Sequence, residues 1–124
     1  MAARGFASFN DGDFDAVADL LHDDVVAVVP ETLANAGVYR GHDGFARMLQ
    51  EWTEPWEELR IDVQELIEEG DVVLAPCVQH GRGRGSGVEI SMRAVFLLRF
   101  RDDRVAFYRL CETMDEAREH AGDS

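Results

Sequence analysis

Along this chain the spacing of apolar residues switches from the three-and-four rhythm of helices to the runs and alternations of strands. Ala2 to Phe9 and Asp13 to Leu21 read as two short helices broken at Asn10-Asp11-Gly12, with Asp13 placed to cap the second. Phe14, Val17, Leu20 and Leu21 recur at helical spacing with Asp15 and Asp19 opposite, so this helical hairpin has an apolar stripe to bury. Val25 to Val29 is β-branched and apolar without alternation, which predicts a short strand buried on both sides and stopped by Pro30. Glu31 to Val38 is expected to be a loop. Phe45, Met48, Leu49 and Trp52 then share one face of a helix that begins around Gly41 to Asp43 and ends or kinks at Pro55.

Four strands follow at Leu59 to Glu68, Val72 to Arg82, Val88 to Arg101 and Arg104 to Glu112. Turn signals join them at Glu69-Gly70-Asp71, Gly83-Arg84-Gly85-Ser86-Gly87 and Asp102-Asp103, as in an antiparallel meander. A helical tail, Met114 to Ala121, completes the order ααβαββββα of an α+β domain. Ala94-Val95-Phe96-Leu97-Leu98 is apolar at every position, so both faces of the sheet must be covered there. Three short helices cover one face, and the other is expected to meet a second subunit, giving a homodimer through the sheet face.

The 124 residues are expected to form a single domain spanning 1–124. No apolar run reaches the ~20 residues of a membrane span, and no signal-like stretch opens the chain, so the expected location is the cytoplasm. A formal net charge of −13 disfavours a phosphate-binding surface and makes nucleic acid an unexpected partner. All 12 basic residues are arginine, which fits either a coding bias or adaptation to high salt. Cys77 and Cys111 read as small buried apolar side chains rather than a disulfide. His22, His42, His80 and His120 show no ligand spacing, so neither a metal nor another cofactor is expected.

His80 ends an apolar strand, where it is either a general acid–base group or a solvent-facing strand end. Trp52 and Trp56 flank Pro55, where their rings could line a pocket mouth or pack in the core. Tyr39, in the preceding loop, could offer a hydroxyl. Glu89, Ser91 and Arg93 share one strand face, and Arg93 could pair with Glu89 or Glu112. Tyr108 and Arg109 point to opposite faces of the last strand, so at most one meets a pocket; Cys111 shares the face of Arg109.

The block Asn10-Asp11-Gly12-Asp13-Phe14, Leu20-Leu21-His22-Asp23-Asp24, Pro30 and Tyr39-Arg40-Gly41-His42-Asp43-Gly44-Phe45 resembles the opening of SnoaL-like proteins of the nuclear transport factor 2-like superfamily. The run Gly81 to Val88, the turn Arg101 to Val105 and Asp115-Glu116-Ala117 are similar to later parts of the same family. The resemblance implies a cone around a ligand pocket, holding an apolar small molecule contacted by Trp52, Trp56, Tyr39, Cys77, Arg93, Arg109 and Cys111. Where ketosteroid isomerase-like members carry their base and oxyanion-binding acid, this chain has Val29 and Phe96, and no phenol stands near Gly5 and Phe6. The Arg-x-Asp step of epoxide-hydrolase-like members is Arg93-Ala94-Val95 here. Cofactor-free cyclase, isomerase or dehydratase chemistry on a carbonyl compound would then fall to His80 or Glu112. The alternative implied by the same family is a non-catalytic ligand-binding or dimerisation module.

Overall fold

The N-terminal helical rhythm becomes α1 (Ala2–Asn10) and α2 (Phe14–Ala18) in a computed structural model that describes residues 2–30 and 36–122. Asp13 caps α2 as expected, its Oδ1 accepting from the Ala16 N–H at 3.2 Å. The helix stops at Ala18, three residues earlier than its apolar stripe suggested, and Leu21 opens strand β1 (Leu21–Val29) instead. Of the loop expected over Glu31 to Val38, residues 31–35 lie outside the described residues. Its end is not loop: Gly37–Arg40 forms strand β2, pairing antiparallel with Val26 to Val29. Helix α3 (Gly41–Thr53) starts immediately after it.

The remaining elements are β3 (Trp56–Val63), β4 (Ile67–Glu69), β5 (Val72–Gly83), β6 (Glu89–Arg101), β7 (Arg104–Cys111) and α4 (Met114–Ala121). The strands lie in the order β2-β1-β7-β6-β5-β3, with β4 also on β5. The expected meander runs from β3 to β7, but β1 joins β7 in parallel, so the sheet is mixed. The strand expected over Leu59 to Glu68 is two strands, and Pro76 shows why. Having no N–H to donate, it sits on β5 opposite the interruption between Val63 and Ile67, where the Gln64 N–H donates to its carbonyl at 2.9 Å. Asp102 and Asp103, at φ 54° and 61°, form the tight turn between β6 and β7, a left-handed geometry that aspartate tolerates.

Alternation along the strands sorts side chains onto two faces. Val73, Ala75 and Cys77 of β5, Ala94, Phe96 and Leu98 of β6, and Tyr108 and Leu110 of β7 face inward. There they pack with Phe9 of α1, Val17 of α2 and Phe45, Met48 and Leu49 of α3. Val72, Leu74, Val95, Leu97 and Cys111 face the other way and pack under α4 through Ala117, Met114 and Ala121. The continuous run Ala94 to Leu98 is therefore covered on both sides, as its composition required. The second cover, however, is the chain's own C-terminal helix, so this run by itself does not call for a second subunit.

Candidate functional site

Two local devices position the helices over the inner face. Asn10, at the end of α1, clasps the edge strand: its Nδ2 donates to the Ile61 carbonyl and its Oδ1 accepts from the Ile61 N–H, both at 2.8 Å. One amide side chain thus imitates the strand that β3 lacks on that side. On α3, Gly44 lets the helix approach β2, since a Cβ there would lie 3.2 Å from the Tyr39 carbonyl carbon. Larger residues would push the helix outward.

Between helices and sheet lies a cavity of about 80 Å³. Gly5, Phe6, Phe9, Val17 and Leu20 form its α1–α2 wall, Phe45, Met48, Leu49 and Trp52 its α3 wall, and Phe96, Leu98 and Tyr108 part of its floor. The aromatic rings make a connected set. Phe96 lies 5.3 Å from Phe6, 6.1 Å from Trp52 and 5.4 Å from Tyr108, while Phe9 stacks on Trp52 at 5.1 Å and Phe45 meets Tyr108 edge-on at 5.6 Å. Substrate pockets commonly measure about 300–1,000 Å³, so this chamber is largely filled by its own side chains.

Among the described residues Tyr108 is the only lining residue with a hydroxyl, and no described group hydrogen-bonds to that hydroxyl. Burial, reinforced by the nearby Cys77 and Cys111 sulfurs, holds this phenol well above its ordinary pKa. It therefore stays protonated, a hydrogen-bond donor on a residue that lines an apolar chamber. Among the described residues, no carboxylate, imidazole or guanidinium lines the cavity.

Of the residues singled out from sequence, Trp52 lines this chamber. Cys77 faces inward but is packed behind it, its thiol donating to the Ala94 carbonyl at 3.5 Å, and burial pushes its pKa up to about 12. Tyr39 is buried beside α3, where its hydroxyl donates to Glu51 at 2.7 Å under the Arg47 guanidinium; burial and then Glu51 raise its pKa. Trp56 begins β3 and lies flat on Gly81, where an added Cβ would come within 2.6 Å of the ring. Arg109 and Cys111 occupy the outer face, Cys111 sealed beneath α4 with its thiol raised to about 11 by burial and then by Glu116. Arg93 is exposed on that face, and Glu112 is exposed just beyond β7.

His80 also faces outward. Its Nε2 lies 3.0 Å from Asp62 and its Nδ1 2.9 Å from the Ser91 hydroxyl, across three neighbouring strands. The Arg60 guanidinium, bonded at 2.8 Å, holds the Asp62 carboxyl below the usual carboxylate range, with His80 adding to the effect. The order carboxylate, imidazole, hydroxyl is that of hydrolytic triads, yet Ser91 sits in mid-strand on an open face, away from the chamber. Sequence reading missed Phe6, Phe9, Phe96 and Tyr108 as cavity residues. Alternation with Ala94 and Leu98 was the signal for Phe96, and opposition to Arg109 the signal for Tyr108.

Comparison with known proteins agrees with this architecture. The chain is similar in structure to TerC co-crystallized with polyporic acid, at 23% identity and TM-score 0.79, over 93% of this chain and 90% of that one. It is similar to an NTF2-like protein of Burkholderia pseudomallei at 19% identity and TM-score 0.82, over 95% and 92%. A putative SnoaL-like polyketide cyclase from Shewanella denitrificans gives 16% identity and TM-score 0.76, over 99% and 95%. At these identities the likeness speaks to fold. No curated protein matches the chain. The SnoaL-like domain model, however, matches residues 2–108, from α1 to the pocket-facing Tyr108, and the chain accordingly belongs to the SnoaL-like family of the nuclear transport factor 2-like superfamily.

Proposed function

We propose that this protein binds a small, mainly apolar molecule carrying one oxygen acceptor, held in the inner chamber with the Tyr108 hydroxyl donating to that oxygen. The observation that carries the reading is an unpartnered, permanently protonated phenol in a chamber otherwise built of apolar and aromatic side chains. A carbonyl or ether oxygen placed against that hydroxyl would contribute a hydrogen bond worth roughly 0.5–1.5 kcal/mol. The polyporic acid in the TerC structure and the cyclase description of the Shewanella relative support a small organic ligand. Proton-transfer chemistry has less support, because His80 and Glu112 stand outside the chamber.

At about 80 Å³ the chamber is about half the 150 Å³ of an engineered cavity that admits benzene, so entry requires its walls to yield. Benzaldehyde and toluene, equal in size and differing in an oxygen, separate the two contributions. Binding followed by ligand-observed NMR should favour benzaldehyde over toluene by about fivefold, the worth of one hydrogen bond. Tyr108→Phe should abolish that preference while leaving toluene binding intact. Equal affinities in the wild type, or a preference that survives Tyr108→Phe, would refute the role of the phenol. Failure of both probes to bind at millimolar concentration would refute the chamber as a binding site for such ligands.

A further inference from the structure

β6 is the longest strand of the sheet, and its two sides are not equally used. β5 pairs with it from Val72↔Arg99 to Arg82↔Glu89, but β7 pairs only from Val95↔Cys111 onward. Residues 89–94 therefore have no strand on their second side among the described residues. Residues 88–93 are all exposed, including Val88 at 56%, Ile90 at 47% and Met92 at 42%. Natural sheets protect such edges, because an open row of backbone donors and acceptors beside apolar side chains recruits another strand.

The sequence along this edge identifies its partner. Ile90 and Met92 point to one face; Glu89, Ser91 and Arg93 point to the other. Glu89 and Arg93 form no ion pair among the described residues, whereas nearby Arg82 bonds Glu58 at 2.7 Å and Arg60 bonds Asp62 at 2.8 Å. We infer that this edge pairs antiparallel with the same edge of a second copy, about a two-fold axis at Ser91. In that register Glu89 lies opposite Arg93 of the second copy and Arg93 opposite its Glu89. Ile90 and Met92 oppose one another on the other face, with Val88 opposite Ala94. A slip of one residue would set charges against apolar side chains, and a slip of two would separate both ion pairs. An unrelated strand has no reason to match this symmetric pattern; a second copy matches it by construction.

The edge is short against the roughly 800 Å² per partner of a standard interface, so a weak dimer is expected, with a dissociation constant on the order of 10 µM or above. It also differs from the dimer through the sheet face that the apolar run of β6 first suggested. Sedimentation equilibrium of the full chain from about 1 to about 200 µM tests it. The wild type should dimerise with concentration, and Arg93→Glu should weaken the dimer about tenfold, replacing two attractive pairs by two repulsive ones. Arg104→Glu makes the same change in net charge away from the edge and should leave association nearly unchanged. The exchanged variant Glu89→Arg/Arg93→Glu should restore wild-type affinity to within about twofold, which also shows that the charge reversals do not act through misfolding. A wild type that is monomeric throughout, equal effects of Arg93→Glu and Arg104→Glu, or failure of the exchanged variant to restore association would each overturn the proposal. So would a dimer dissolved by Val28→Arg on the sheet face and untouched by Arg93→Glu.

Discussion

Neighbouring residues of β6 live in opposite surroundings. Phe96 points into a chamber of six aromatic rings and aliphatic walls, while Leu97, one residue on, lies under the small side of α4 against Leu74, Val95 and Ala117. Both are fully buried. Farther along the sheet the contrast sharpens: inward positions remain apolar apart from the buried Gln79, while outward ones carry the chain Asp62, His80 and Ser91 and the pairs of Arg82 with Glu57 and Glu58. The inner face is organised by shape, and the Tyr108 hydroxyl and the buried Gln79 amide are donors on it. The outer face is apolar only beneath α4 and carries charge beyond it. That division separates two kinds of burial that look alike in a sequence.

Truncating each neighbour measures the difference. Phe96→Ala should cost about 3–5 kcal/mol and Leu97→Ala about 2–5 kcal/mol in chemical denaturation, since each leaves a void in packed surroundings. The void left by Phe96 opens into the chamber, whereas that left by Leu97 is closed by α4. Saturating toluene should therefore recover part of the loss in Phe96→Ala and none in Leu97→Ala. Equal recovery in both would show that the two faces do not differ as binding surfaces.

The strengths and failures of sequence reading follow the same division. The tail helix was legible residue for residue because Thr113 provides a cap, accepting from the Glu116 N–H at 3.1 Å, and the apolar pattern is local. Strand β2 was not legible. Its four residues include Gly37 and two exposed positions, and what makes them a strand is pairing with β1, a non-local fact. The lining of the inner chamber was hard to read for another reason. His80 and Cys77, three positions apart on an unbulged strand, face opposite sides and cannot both line one pocket. Arg109 and Cys111 drew notice for their chemistry, yet strand parity assigned the pocket to Tyr108. Covalent reactivity attracted attention where packing aromatics carried the geometry.

Alkaline pH should expose the buried thiols and phenol to a common test. Cys77, Cys111 and Tyr108 all have pKa values raised by burial, from ordinary values of 9.0 for the thiols and 10.0 for the phenol. The unfolded chain loses these protons first, so it binds fewer protons than the folded chain above pH ~9, and stability falls as pH rises. For the thiols the loss runs from about pH 9 towards the folded values of about 11 and about 12. The melting temperature should thus decline through this window, and the decline should be shallower in Cys77→Ala/Cys111→Ala. In the native protein at pH 8 neither thiol should react with a disulfide reagent, whereas both should react after unfolding. An identical alkaline slope in the double variant would assign the loss elsewhere.

The smallest effect distinguishes what holds α4 in place. Arg118 of α4 reaches Glu69 of β4 at 3.3 Å, and both side chains are about half exposed, at 51% and 45%. Pairs of this kind contribute roughly 0–1 kcal/mol, because water screens the attraction and ordering two long side chains opposes it. Ala117, by contrast, is completely buried against the outer face, in one cluster with Val72, Leu74, Val95, Leu97 and Cys111. Arg118→Ala should therefore change stability by less than about 1 kcal/mol, and that small change should shrink further in molar salt. If instead Arg118→Ala matched Leu97→Ala in cost, α4 would be held by charge, and the outer face would have to be regarded as electrostatic throughout. A small, salt-sensitive effect leaves apolar burial as the bond between helix and sheet, the same force that closes the chamber on the other side.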